Sequence, residues 1–239
     1  MSFGQRWTAD GRFLTFLATT DNRTFALHLK RADGTGADSV LWSRPDGLRG
    51  GFLTSDGHWI VGESGARGKG YIVARRTGSD TAVVVQVSDP RYEVMTPALS
   101  PDGKWLAYVS NETGRYEIYL RPFPNADSTK IPLSNTGGTS PVWAHTGHEL
   151  FFISPTNEMM TVPISPGPPF RHDQPRRLFP LGMDLVTISD SYNWFDVSRD
   201  DKSFLMYRYL STGAKGAEPS VVIHNWLTEI KAQMKAKQP

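Results

Sequence analysis

Oxygen-bearing side chains stand at matching places along this 239-residue chain, each group just ahead of a short apolar run: Glu93 and Thr96, Thr139 and Ser140, and Asp190, Tyr192 and Asn193. Brought to one point, oxygen donors of this kind hold a hard cation such as Ca²⁺. Glu93, Asp190 and Asn193 are the set with the donor chemistry for it. Without an ion, the same groups bond backbone and trapped water and offer a polar surface to a ligand. The residue types allow both readings.

Nitrogen donors are fewer. Of six histidines, His145 and His148 in His-Thr-Gly-His are the pair that could reach one metal. They also occupy corner positions of a recurring turn, where an exposed side chain is the ordinary expectation. His58 takes the same turn place, His172 lies in an irregular tract, and His28 and His224 fall within strands. No serine sits in a Gly-x-Ser-x-Gly elbow, because Gly62-Glu-Ser-Gly lacks the spacing and the following helix. The stretch Glu63-Ser-Gly-Ala-Arg-Gly-Lys-Gly70 is glycine-rich and cationic, but a phosphate cradle needs a strand-to-helix setting and here a strand follows. It reads as a flexible loop at a rim. Asp200 and Asp201 fall in a turn and are expected to face solvent, and Asn111-Glu-Thr113 matches an N-glycosylation acceptor expected to go unused.

The elements that position these groups come from a repeat. Leu99-Ser-Pro-Asp-Gly-Lys-Trp-Leu-Ala-Tyr-Val-Ser110 reads as strand, turn, strand. Pro101 fixes φ at the turn corner, Asp102 bonds its own backbone, and Gly103 tolerates positive φ. The β-branched and aromatic run Trp105 to Val109 suits a strand. Worn copies begin at Thr8, Thr54, Ala144 and Ser198. Asp10, Asp56 and Asp102 lie 46 residues apart, Thr146 follows 44 later and Asp200 another 54 beyond. A period of roughly 40–50 residues made of short strands is the signature of propeller blades. The expected fold is an all-β propeller of about five blades of antiparallel strands, at 1–49, 50–92, 93–135, 136–190 and 191–225. Leu227, Ile230 and Met234 at helical spacing predict a short amphipathic helix in the tail 226–239. The tract 165–191 reads as a long irregular loop near the channel mouth.

Composition agrees and excludes several classes. One all-β domain commonly runs about 200–250 residues, and seven Trp, eight Tyr and twelve Phe suit thin cores between radial sheets. A net charge of +2 from 26 basic and 24 acidic side chains gives no basic field for nucleic acid. With no cysteine, disulfides, thiol chemistry and thiolate zinc sites are excluded. No apolar run approaches the roughly 20 residues of a membrane span, and Met1-Ser-Phe-Gly lacks the start of a signal peptide.

Ser100 through Pro124, Gly137-Gly-Thr-Ser-Pro-Val-Trp143, Glu149-Leu-Phe-Phe152, Phe195-Asp-Val-Ser198, Phe204-Leu-Met206 and Val221-Val-Ile-His-Asn-Trp226 resemble the TolB-like β-propeller repeats. More narrowly, they are similar to the propeller at the C-terminus of bacterial receptor-type serine/threonine protein kinases. None of the kinase's own motifs is present, so phosphorylation is excluded. The resemblance implies a periplasmic or extracytoplasmic setting. It also implies six blades where five are counted, the last with three evident strands. The expectation is then either a compact five-bladed ring or an incomplete one that pairs edge to edge as a homodimer.

Two functions follow. The first is a binding or sensor module that takes a protein, peptide or small molecule on its channel face, through Glu93, Thr96, Thr139, Ser140, Tyr192 and Asn193. The second is a metal-dependent hydrolase of esters, lactones or phosphotriesters, with a divalent cation in the channel that polarises the substrate and activates water.

Overall fold

The computed structural model describes residues 2–19, 24–79, 83–126, 128–182, 195–206 and 221–223. These form five sheets in chain order. The first holds β1 (Ser2–Trp7), β2 (Phe13–Ala18), β3 (Ala26–Arg31) and β4 (Ser39–Trp42), and the second β5 (Gly50–Leu53), β6 (Trp59–Ser64), β7 (Tyr71–Arg76) and β8 (Val83–Val87). The third holds β9 (Val94–Leu99), β10 (Trp105–Ser110), β11 (Glu117–Pro122) and β12 (Ile131–Pro132). The fourth consists of β13 (Thr139–Trp143), β14 (Glu149–Ile153), β15 (Glu158–Ser165), β16 (Arg171–His172) and β17 (Arg176–Pro180), and the fifth of β18 (Phe195–Val197), β19 (Phe204–Met206) and β20 (Val221–Ile223). Each sheet is antiparallel, with every strand paired to its predecessor except β17, which returns to pair β15. The architecture is an all-β propeller of about five blades.

The repeated turn between the first two strands of a blade builds itself. In four of the five copies a Ser or Thr hydroxyl donates to the Asp two residues on: Thr8 to Asp10 at 2.6 Å, Thr54 to Asp56 at 2.5 Å, Ser100 to Asp102 at 2.6 Å and Ser198 to Asp200 at 2.6 Å. The same Asp accepts the backbone N–H two further along, and the hydroxyl accepts the N–H that opens the second strand. These bonds hold Asp10, Asp56 and Asp200 below the usual carboxylate range, the hydroxyl's bond first. Blade four lacks the Asp. There Asp201 of blade five supplies the carboxylate instead, accepting the His145 N–H at 2.7 Å and the Thr146 N–H at 3.1 Å. Asp201 stands where the other turns have glycine and adopts φ +57. Its side chain is 12% exposed, so it does not face solvent as a turn carboxylate was expected to.

The core lies between blades, because alternate residues of a strand point to opposite neighbours. Leu106 and Tyr108 of β10 pack with Phe52, Val61, Ile72 and Ala74 of blade two. Ala107 and Val109 pack with Trp143, Leu150 and Phe152 of blade four. Similar clusters join blades one and two around Trp42 and Leu48, and blades four and five around Phe151 and Phe204. At the two ends of the series the outward faces are open among the described residues: Trp7 is 65% exposed, Val40 59% and Leu205 45%.

Two sequence expectations change. The tract 165–191 contains β16 and β17 rather than irregular chain up to residue 180, because Arg176-Arg-Leu-Phe-Pro180 is an outer strand whose charges face water. β6 extends to Ser64, so Glu63 belongs to a strand and not to the loop that follows. The expected tail helix at 226–239, His224, and Asp190, Tyr192 and Asn193 lie outside the described residues.

Candidate functional site

Residues of the inner strands β1, β5 and β18 come within reach of one another around Arg6. The Arg6 guanidinium of β1 sits 4.7 Å from the centre of the Phe52 ring of β5, and Asp196 of β18 lies within its electrostatic reach. Crowding by protein holds the Arg6 guanidinium below its ordinary range and Asp196 draws it back up, although the side chain still meets solvent. Asp196 is itself exposed.

The inner strands share a local distortion. Thr96 in β9 has φ +49 and Ser140 in β13 has φ +56, each followed by proline, and Gly4 at the corresponding place in β1 has φ +67. Strand register slips beside each of them. A left-handed residue at a bulge turns its side chain out of the pleat, and for a non-glycine residue costs about 1–2 kcal/mol. The surrounding bonds must hold it. Glu63 does this for Thr96, accepting the Thr96 N–H at 2.8 Å on Oε2.

Glu63 is fully buried. Its Oε1 lies 3.3 Å from Arg49 Nε, and Arg49 Nη1 donates at 2.7 Å to Glu93 Oε1, so one guanidinium serves two buried carboxylates. Glu93 is fixed from below by the Asn111 side-chain oxygen, which accepts the Glu93 N–H at 2.8 Å. Asn111, the residue of the glycosylation pattern, is thus committed inward. The glycine-rich connection 65–70 lies over this cluster: Arg49 Nη1 donates to the Ala66 carbonyl at 3.3 Å. A Cβ at Gly70 would meet Val94 O at 2.6 Å, Glu93 Oε1 at 2.8 Å and Arg49 Nη1 at 2.9 Å. Glycine is required there by close approach, not by turn geometry. The rim loop of the sequence reading is therefore packed against charged groups.

Glu93 Oε2 and Thr96 Oγ1 are buried in this cluster without a hydrogen-bond partner. Thr139 is half-buried and Ser140 buried at the equivalent place in blade four. Their junction is held by Glu117, whose Oε2 accepts the Gly137 N–H at 2.9 Å and the Ser134 hydroxyl, while Arg115 donates to its Oε1 at 2.6 Å. His145 and His148 stand apart from the channel cluster. His145 Nδ1 is 3.1 Å from Asp201 in the turn described above, and His148 is exposed. Among the described residues no three His, Asp or Glu side chains converge to hold a metal ion.

The structure brings Glu93 and Thr96 into one cluster, and adds Arg49, Glu63, Gly70 and Asn111, none of which the sequence reading singled out for the site. Glu63 had a signal, since it is the one charge in the strand Trp59-Ile-Val-Gly-Glu-Ser64. Asp196, inside the apolar run of β18, had the same one.

The sheet order, the inter-blade cores and the axial cluster define an all-β propeller. Its fold is TolB-like. No family model matches the sequence. The Tol-Pal system protein TolB of Xanthomonas oryzae pv. oryzae is 36% identical over 83 residues, which is 34% of this chain and 18% of the relative. The same protein of Xylella fastidiosa is 35% identical over 83 residues, with the same coverage. This chain thus spans under a fifth of the length of the curated relatives it matches. Among solved structures, TolB from Acinetobacter baumannii superposes with a TM-score of 0.66 at 14% identity, covering 93% of this chain and 51% of that one. Putative TolB from Agrobacterium tumefaciens gives 0.66 at 13%, covering 90% and 72%. An oligogalacturonate lyase in complex with manganese gives 0.63 at 13%, covering 95% and 62%. At these identities the structural likeness concerns the fold alone.

Proposed function

We propose that this chain is a recognition propeller that binds a peptide, a protein segment or a small molecule at the channel mouth around Glu93 and Thr96. One observation carries the reading: Glu93 Oε2 and Thr96 Oγ1 are both buried, without a hydrogen-bond partner, in a cluster that Arg49 and Glu63 hold in place. An acceptor and a hydroxyl held this way discriminate strongly for a ligand that supplies the missing donor and acceptor. The protein matched in sequence is a component of the Tol-Pal system, and protein partners are the corresponding class here. Descent from a receptor-kinase propeller and a periplasmic or extracytoplasmic setting belong to the same proposal. So does pairing with a second copy through the open end faces at Trp7, Val40 and Leu205, which a monomer in light scattering would remove.

The test is a pull-down and calorimetric titration with wild type and Glu93→Gln in parallel, using soluble extract and then the captured partner. Binding that Glu93→Gln weakens tenfold or more, with an unchanged melting temperature, supports the reading. A partner that binds both proteins equally places recognition elsewhere.

A second reading rests on the charge of the cluster. Two buried carboxylates lie against the Arg49 guanidinium, and such a pair of acidic oxygens is a setting that attracts a divalent cation. Glu93 Oε2 would be the ligand this chain offers, and a hydrolase of esters, lactones or phosphotriesters the activity. Metal analysis with chelator-sensitive turnover in wild type, both lost together in Glu93→Gln, would establish it.

A further inference from the structure

Away from the axis, blades two and three enclose a cleft of about 380 Å³. That is the small end of the range of ligand sites. Its near wall is the end of β8 and the segment Ser88–Tyr92, and its floor is Tyr108 and Ser110 of β10 with Arg121 of β11. Glu112 and Lys130 form the far rim.

Three features mark it as a built site. Ser110 is 1% exposed and its Oγ has no hydrogen-bond partner, although it lines the cleft. Arg121 is clamped in place: its Nε donates to Tyr108 Oη at 3.1 Å and its Nη1 to the Ala126 carbonyl, so Nη2 has no acceptor among the described residues. The rim charges, by contrast, are already matched. Arg91 pairs with Asp89 at 2.8 Å and lies over the Tyr92 ring, and Lys130 pairs with Glu112. The three cations and two carboxylates of the lining leave one positive charge, which belongs to Arg121.

A ligand that completes this arrangement carries one negative charge for Arg121, a hydroxyl for Ser110, and a flat hydrocarbon face for the tyrosines. We propose that the cleft between blades two and three binds a single acidic sugar residue, or a polyol of that size with one carboxylate. The carboxylate lies against Arg121 Nη2, where charge-assisted hydrogen bonds are strongest. A ring hydroxyl engages Ser110 Oγ, and a ring face stacks on Tyr92. The residues that line the cleft include none of the side chains of the channel cluster.

The experiment is ligand-observed NMR and titration of the full chain with glucuronate, glucose, acetate and a short peptide with a free C-terminus. Saturable binding of glucuronate, with glucose at least tenfold weaker and acetate weaker still, is expected. Ser110→Ala should weaken glucuronate several-fold without lowering the melting temperature, because Oγ has no protein partner to lose. Arg121→Met should bring glucuronate down to the level of glucose, and Arg121→Lys, which keeps the positive charge should Arg121→Met fail to fold, should keep only part of the preference. No saturable binding, equal binding of glucose and glucuronate, tighter binding of the peptide, or glucuronate binding indifferent to substitution at both positions would each overturn the proposal.

Discussion

Two junctions between blades use the same device in opposite surroundings. Between blades two and three, Glu63 reaches across to the Thr96 N–H from a fully buried position, with Arg49 beside it. Between blades four and five, Asp201 reaches across to the His145 and Thr146 N–H groups near the surface. Both carboxylates brace backbone that cannot brace itself, one a left-handed bulge and the other a turn without its own Asp. The difference lies in the alternative each group has. Asp201 exchanges its bonds for water if the junction opens. Glu63 cannot, so its bond is tied to the integrity of the core.

Removing the shared cation should separate the two most sharply. Arg49→Met removes the cation that lies against two buried carboxylates and should cost about 3–5 kcal/mol, read as the midpoint shift in denaturant unfolding. An effect below that of an ordinary surface change would mean the cluster is solvated. Gly70→Ala comes next, because its Cβ would meet backbone and both charged groups. Overpacking of this kind costs about 1–3 kcal/mol, and it should lower the melting temperature while Gly78→Ala, which has open space at its Cβ, gives only its smaller backbone strain.

Asp201→Asn should cost about 1 kcal/mol, since an amide oxygen still accepts but without charge. Its signature is in pH. Burial pulls the Asp201 carboxyl upward, but the His145 and Thr146 N–H bonds outweigh it and hold it below 3.8. A depressed carboxylate stabilises the fold above its unfolded pKa and loses that stabilisation as pH falls through the folded value. Wild type should therefore lose part of its stability below about pH 4, and Asp201→Asn should show a flatter acid limb. Glu149 runs the other way, since burial, with Asp201's charge adding, pushes its carboxyl up. It favours the fold at low pH and less so as pH rises past its unfolded value, so Asp201→Asn should also ease Glu149 ionisation. An unchanged acid limb in both proteins would mean the turn contact carries no net stabilisation.

What was legible in the sequence follows from range. The turns are local: Ser, Asp and Gly within five residues make all their own bonds, so motif and period together gave the blades. The bracing groups act a repeat away. Glu63 meets Thr96 33 residues on, Arg49 meets Glu93 44 on, and His145 meets Asp201 56 on. A pattern with a period near 46 hides such pairs, because each partner looks like a normal member of its own copy. Glu93 and Thr96 were found because the template places them ahead of an inner strand; Arg49 and Asn111 were not, because nothing in an arginine before two glycines, or an asparagine after a strand, states what it faces. β17 escaped for a local reason, its prolines and arginines being those of a loop.

The alternation of β10, with Leu106 and Tyr108 toward one neighbour and Ala107 and Val109 toward the other, has a consequence for how the molecule comes apart. A middle blade is gripped from both sides, whereas an end blade has a single core among the described residues. Unfolding should then proceed inward like a stack losing its outer plates. In hydrogen exchange, amides of β10 and β11 should be released only with the whole chain, those of β2, β3 and β19 earlier. A protease should trim from both ends before it cuts near Trp105.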